Sequence, residues 1–200
     1  ETPLGQLWRT TFGAHASIEY DYDSAALSAA LARDFNQRNT TLSIGVSVGY
    51  DQINPVGGVP RPLASMSPEV PNDQAPLNRL GDAETKSVGD LLLGLTQVID
   101  RRSLLQINYS LGLSDGYLTD PYKLVSLVEG ESGADPGEPA GQLYESRPDH
   151  RTKQSLYLAY KREVRYQDVL DASYRYHWDD WQVRSHTLEL RYRWDPFVRE

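Results

Sequence analysis

Hydrophobic and polar residues alternate along most of this chain with a period of two, the spacing that puts successive side chains on opposite faces of a β-strand. In AHASIEYDYD, Ala14, Ala16, Ile18, Tyr20 and Tyr22 oppose His15, Ser17, Glu19, Asp21 and Asp23. The next segment, SAALSAALARDF, alternates weakly, and its alanines and leucines suit an amphipathic helix as well as a strand. TTLSIGVSVGYD sets Leu42, Ile44, Val46, Val48 and Tyr50 against Ser43, Gly45, Ser47, Gly49 and Asp51. The small residues on that polar face point to crowding by neighbours or to a narrow lumen.

Pattern returns at VGDLLLGLTQVID, with Leu91, Leu93 and Leu95 opposing Asp90, Gly94 and Thr96. After a charged turn at Asp100–Ser103, Leu105, Ile107, Tyr109, Leu111 and Leu113 oppose Gln106, Asn108, Ser110, Gly112 and Ser114. Three more strands follow. Leu156, Leu158 and Tyr160 share a face. Leu170, Ala172, Tyr174, Tyr176 and Trp178 oppose Asp171, Ser173, Arg175, His177 and Asp179. Leu188, Leu190, Tyr192 and Trp194 oppose Thr187, Glu189, Arg191 and Arg193.

The count is eight strands of about ten to twelve residues, within one domain or barrel segment over residues 1–200. FNQRN, DRRS and KREVRYQD are short connections, whereas long aperiodic loops run over about 52–86 and 115–152. Short turns at one end and long loops at the other predict an all-β, antiparallel up-and-down transmembrane barrel with periplasmic short turns. The polar faces carry Glu19, Asp21, Asp90, Gln106, Asn108, Arg175, His177, Asp179, Glu189 and Arg191, too many ions to bury dry, so these residues are expected to face an aqueous lumen. Tyr20, Tyr22, Tyr50, Tyr109, Tyr160, Tyr174, Tyr176, Trp178, Tyr192 and Trp194 then form the expected aromatic girdle. A soluble β-sandwich is the competing architecture, although its strands are usually nearer five or six residues.

Composition narrows the function classes. A net charge of −8 argues against nucleic acid as a partner, since phosphate neutralisation needs clustered cations. The absence of cysteine excludes disulfides, thiol nucleophiles and thiolate metal sites. No apolar run approaches the length of a transmembrane helix, a fact with no bearing on barrel strands. Thirteen tyrosines against three phenylalanines favour rings with a polar tip, suited to a membrane–water interface. The start at Glu1 without a leader-like stretch suggests a piece of something longer.

LTQVIDRRSLLQINYSLGLSDGYLTDPYK, YESRPDHRTKQSLYLAYK and YRYHWDDWQVRSHTLELRYRW, preceded by NTTLSIGVSVGYDQINPVGG, resemble the bacterial family known as domain of unknown function 3570. The resemblance covers the chain from about residue 10 onward. It implies an outer-membrane β-barrel of Gram-negative bacteria, in members roughly twice this length with no established activity. RYRWDPFVRE does not supply the terminal aromatic strand that closes such barrels, so closure within eight strands stays open.

Candidate chemistry is sparse. His177 and Asp179, with His186 across DDWQVRS, have ligand types for a divalent metal but no defined third ligand. Ser185 and His186 are adjacent on a strand and so face opposite ways, which excludes a nucleophile–base pair. DGYLTD and EGESGADPGEP offer calcium-type oxygens without calcium-loop spacing. Arg147, Asp149, His150, Arg151 and Lys153 read as a rim ion-pair network, and Asp120-Pro121-Tyr122 as a turn with Tyr122 packing inward. No catalytic residue, metal or cofactor is assigned. The expected partners are the outer-membrane bilayer and a periplasmic or extracellular protein. The functions left are a porin-like channel, a structural or partner-binding barrel, or a barrel hydrolase acting on lipid or surface polymer.

Overall fold

A computed structural model describes residues 2–3, 8–66, 78–128, 130, 137, 139–165 and 168–194. Eight long strands succeed one another in a single antiparallel meander. They are β1 (Trp8–Ile18), β2 (Tyr22–Phe35), β3 (Thr40–Ile53), β4 (Glu84–Asp100), β5 (Ser103–Gly116), β6 (His150–Arg165), β7 (Asp168–Asp179) and β8 (Arg184–Arg193). A two-residue piece, Thr2–Pro3, extends the β1 edge. Every strand pairs with its sequence neighbours, and among the described residues β8 does not pair with β1. The all-β antiparallel expectation therefore holds, while the sheet is open rather than closed. No second large sheet stacks on it among the described residues, as a sandwich would require.

The two long loops leave from the same end of the sheet, between β3 and β4 and between β5 and β6. At the opposite end, among the described residues, the strands are joined by the short connections at 36–39 and 101–102. Each long loop holds a short ladder, Val59–Pro60 with Arg79–Gly81 in the first and Leu124–Val128 with Pro139–Tyr144 in the second. The loops are joined through a Ser65–Leu143 bridge, Leu63 N to Tyr144 O (3.1 Å) and Tyr144 N to Ala64 O (3.0 Å). The Arg79 guanidinium donates to Tyr144 Oη at 2.9 Å. Ile53, Val59 and Tyr144, at this end, are the buried hydrophobic residues among those described.

One open alternative is decided and two expectations need correction. SAALSAALARDF is strand throughout, because β1 and β3 flank it on both sides and their ladder bonds override alanine's helix propensity. β1 ends at Ile18, and Glu19–Asp21 form a hairpin turn, with Glu19 N donating to Tyr22 O at 2.9 Å. Glu19, Tyr20 and Asp21 thus lie on no strand face. The turn also resets parity, so that Ile18 pairs with Asp23 and Tyr22 pairs with Ile53 on the polar face. Finally, β4 has 17 residues and β6 has 16, longer than the periodicity suggested.

Candidate functional site

Following the registers across the sheet gives two continuous faces. One row runs Leu31–Ile44–Leu93–Tyr109–Leu156–Tyr176–His186, and its neighbour runs Arg33–Leu42–Leu95–Ile107–Leu158–Tyr174–Leu188. The reverse side carries Arg9–Ala32–Ser43–Gly94–Asn108–Tyr157–Arg175–Thr187. On β3 the apolar residues Leu42, Ile44, Val46, Val48 and Tyr50 are 48, 44, 49, 61 and 54% exposed, while the intervening polar ones are half-buried. On this strand hydrophobicity and exposure rise together.

Curvature explains the exposure. On the polar face, a Cβ placed on Gly45 would lie 3.8 Å from the Cβ atoms of both Ala30 and Leu92. One on Gly49 would lie 3.6 Å from Ala26 Cβ and 3.9 Å from Val88 Cβ. Opposed Cβ atoms in a flat pair are about 4.5–5.5 Å apart, so these side chains converge. On the apolar face, a Cβ on Gly89 would meet nothing within 4 Å. The sheet is concave on its polar side, and the Gly, Ser and Ala of β1–β4 fit that crowded surface.

The concave face gathers eight of the ten residues expected there: Asp90, Gln106, Asn108, Arg175, His177, Asp179, Glu189 and Arg191. Ser47 Oγ donates to Asp90 Oδ2 at 2.9 Å, and Arg175 lies over the Tyr157 ring at 5.4 Å. Glu189 and Arg191 pair along β8. Asp179 has no exposed side-chain surface; it accepts from the Arg151 guanidinium and from Val183 N, which closes the β7–β8 turn. His177 Nε2 stands 4.0 Å from the same carboxylate.

Of the expected girdle, Tyr50, Tyr109, Tyr160, Tyr174, Tyr176, Trp178 and Tyr192 lie on the convex face. Trp194 is exposed just beyond β8. Tyr22 is on the concave face instead, beneath Lys86, whose ammonium is 5.1 Å from the ring and 3.3 Å from Asp51 Oδ2. Tyr109 and Tyr174 stand mid-strand rather than near strand ends, with hydroxyls bonded to Gln154 Oε1 and His186 Nδ1, both at 2.7 Å.

The candidate groupings on β7 and β8 fall on opposite faces. Ser185 pairs with His177 on the concave face, whereas His186 pairs with Tyr176 on the convex one. His186 is thereby separated from His177 and Asp179, and no group of three potential metal ligands occurs among the described residues. Most of EGESGADPGEP lies outside the described residues. Of the expected rim network, His150 meets Asp149 at 3.2 Å, whereas Arg151 pairs with Asp179 and Arg147 with Glu145, outside the expected set: Arg147 Nε is 2.7 Å and Lys123 Nζ 3.1 Å from the Glu145 carboxylate. Burial pushes the Glu145 carboxyl up, but the hydrogen bonds from Arg147 and Lys123 outweigh it and hold it below the usual range. Tyr122 is exposed rather than packed inward, because its hydroxyl reaches out to Asp21 Oδ2 at 2.5 Å. That link between the β1–β2 turn and the second loop has no signature in sequence spacing.

A family profile described as "Protein of unknown function (DUF3570)" matches residues 1–197. No curated protein and no solved structure matches the chain.

Proposed function

The chain belongs to the DUF3570 family of proteins of unknown function, and from its two unlike faces we propose that it forms part of the wall of a bacterial outer-membrane β-barrel. The convex face meets hydrocarbon, the concave face lines water, and solutes pass along it without catalysis.

One observation carries this reading. The apolar band of the convex face is bounded, and it slants across the strands. It runs Ala25 to Leu31 on β2, Leu42 to Tyr50 on β3, Leu156 to Tyr160 on β6 and Leu188 to Trp194 on β8. Leu31, at its lower limit on β2, is in register with Leu156 at its upper limit on β6 and with His186 above it on β8. From β2 to β8 the centre of the band drops by about 8 residues, roughly 26 Å along the strands against roughly 29 Å across them, a slant near 40°. Barrel strands tilt by about 35–45° from the membrane normal, so a flat hydrocarbon slab imposes such a slope. Packing against a soluble partner imposes none. In hydrocarbon, unpaired backbone at the β1 and β8 edges would be prohibitive, so both edges must be paired, by each other or by further strands.

The long-loop end is then extracellular and the short-turn end periplasmic. Expression from the native reading frame tests the membrane reading. The protein should fractionate with outer membranes, resist extraction by carbonate, and give discrete conductance steps in planar bilayers. Recovery as a folded protein from the soluble periplasm would overturn the membrane placement, and insertion without conductance would overturn the channel.

A further inference from the structure

We propose that the convex face at the long-loop end binds a phosphorylated glycolipid, a disaccharide bearing phosphates and several acyl chains, an inference that rests on the membrane reading above. Two features lie along that border of the face. The first is an open groove of about 980 Å³, floored by Ala14, Ala25 and Gly89 and walled by Leu27, Val48 and Leu113. Its floor is low because Ala14 and Ala25 carry only a methyl group and Gly89 no side chain, and its loop-end rim turns polar at Ser87, Asp115 and His150. An acyl chain with its polar end toward the loops matches that gradient.

The second feature is an exposed guanidinium and an imidazole on the same face of β8. Arg184 pairs in register with Trp178, is exposed, and has no carboxylate partner among the described residues. His186, one row below, shares its Nδ1 with the Tyr174 hydroxyl at 2.7 Å and packs its ring 4.8 Å from Tyr176. Its Nε2 has no partner among the described residues. Along this border the acids, Asp23 and Asp115, lie on β2 and β5, and the bases, His150, Arg184 and His186, lie on β6 and β8. His150 is met by Asp149 at 3.2 Å and by Asp115 in register, so Arg184 and His186 are the better phosphate ligands. Trp178 and Tyr176, stacked at 5.2 Å, add ring faces for a sugar. Four strand spacings separate Gly89 from Arg184, roughly 19 Å, which a headgroup with several chains covers and a two-chain phospholipid does not.

The test uses the full chain refolded into three vesicle types: phosphatidylcholine alone, with phosphatidylglycerol, or with bisphosphorylated lipid A. Lipid retained after detergent extraction is read by native mass spectrometry. Lipid A should be retained at least tenfold over the other two. The double variant Arg184→Ala/His186→Ala should lose that preference while inserting normally, and Leu190→Ala on the same strand and face should keep it. Equal retention of phosphatidylglycerol, an unaffected double variant, or equal loss in Leu190→Ala would each overturn the site. A chain that stays in the aqueous phase with all three vesicles would overturn the membrane reading itself, a result distinguishable from the others.

Discussion

Gly94 and Gly89 sit on the same strand, five residues apart, and face opposite ways. A Cβ on Gly94 would collide with Ser43 Oγ and lie 3.2 Å from Asn108 Oδ1, whereas one on Gly89 enters open space. Gly94→Val should therefore cost roughly 1–3 kcal/mol through overpacking, and Ser43→Gly in the same chain should recover part of it. Gly89→Val should be neutral or slightly stabilising, as β-propensity spans only about 1 kcal/mol. Urea unfolding midpoints in micelles report both, and equal losses at the two positions would contradict the assigned curvature. Tyr117, in the second loop, gives a different residue-scale outcome. Its hydroxyl is buried without a hydrogen-bond partner among the described residues. Burial, aided by the Asp120 and Glu84 carboxylates, pushes it up to about 12. Tyr117→Phe removes an unsatisfied polar group and should leave stability unchanged or raise it by roughly 1 kcal/mol. A fall in melting temperature would mean that the hydroxyl has a partner.

At the scale of elements, the strands were readable where hydrocarbon-type residues alternate with small polar ones, as in β3 and β5. They were underestimated where a strand continues past the apolar band. Glu84–Ser87 and His150–Gln154 are strand, yet both of their faces are polar, so alternation disappears while the ladder bonds persist. β2 was ambiguous for another reason: Ala26, Ala30 and Ala32 are there because the concave face leaves room for little else, and alanine chosen for size imitates alanine chosen for helix propensity. Of the expected aqueous set, the residues lost were the two beyond Ile18, where a short turn reversed parity. The loop contacts were illegible because Tyr122–Asp21 and Arg79–Tyr144 join positions distant in sequence. Those contacts set a pH dependence. Glu145 is held below its ordinary value of 4.5, so its contribution is fully present above that value and is lost as pH falls through the lower folded value. Protection factors of the second-loop amides, measured against their intrinsic exchange rates, should fall below about pH 4.5 and stay level between pH 5 and 7. Glu145→Gln should flatten that response, and an acid limb unchanged in the variant would assign it to other groups.

For the whole molecule, the slope of the apolar band separates a hydrocarbon slab from any surface that follows the strands. Leu31, Leu93 and Leu156 share one register row, so a partner docking along the rows would treat them alike. A slab would not, because the row enters the band at its lower border on β2, crosses its centre on β4 and leaves at its upper border on β6. Arginine on a lipid face costs about 2–4 kcal/mol at the midplane and about 0–1 kcal/mol near an interface. Leu93→Arg should thus destabilise the vesicle-inserted protein by about 3 kcal/mol, with Leu31→Arg and Leu156→Arg each costing less than about 1 kcal/mol. Ser47→Arg, at similar height on the concave face, should insert normally and alter conductance instead, since charge there faces water. Denaturant titrations from vesicles give the three costs. If Leu31, Leu93 and Leu156 respond equally, depth is not what those side chains sense, and the convex face is covered by something other than a bilayer.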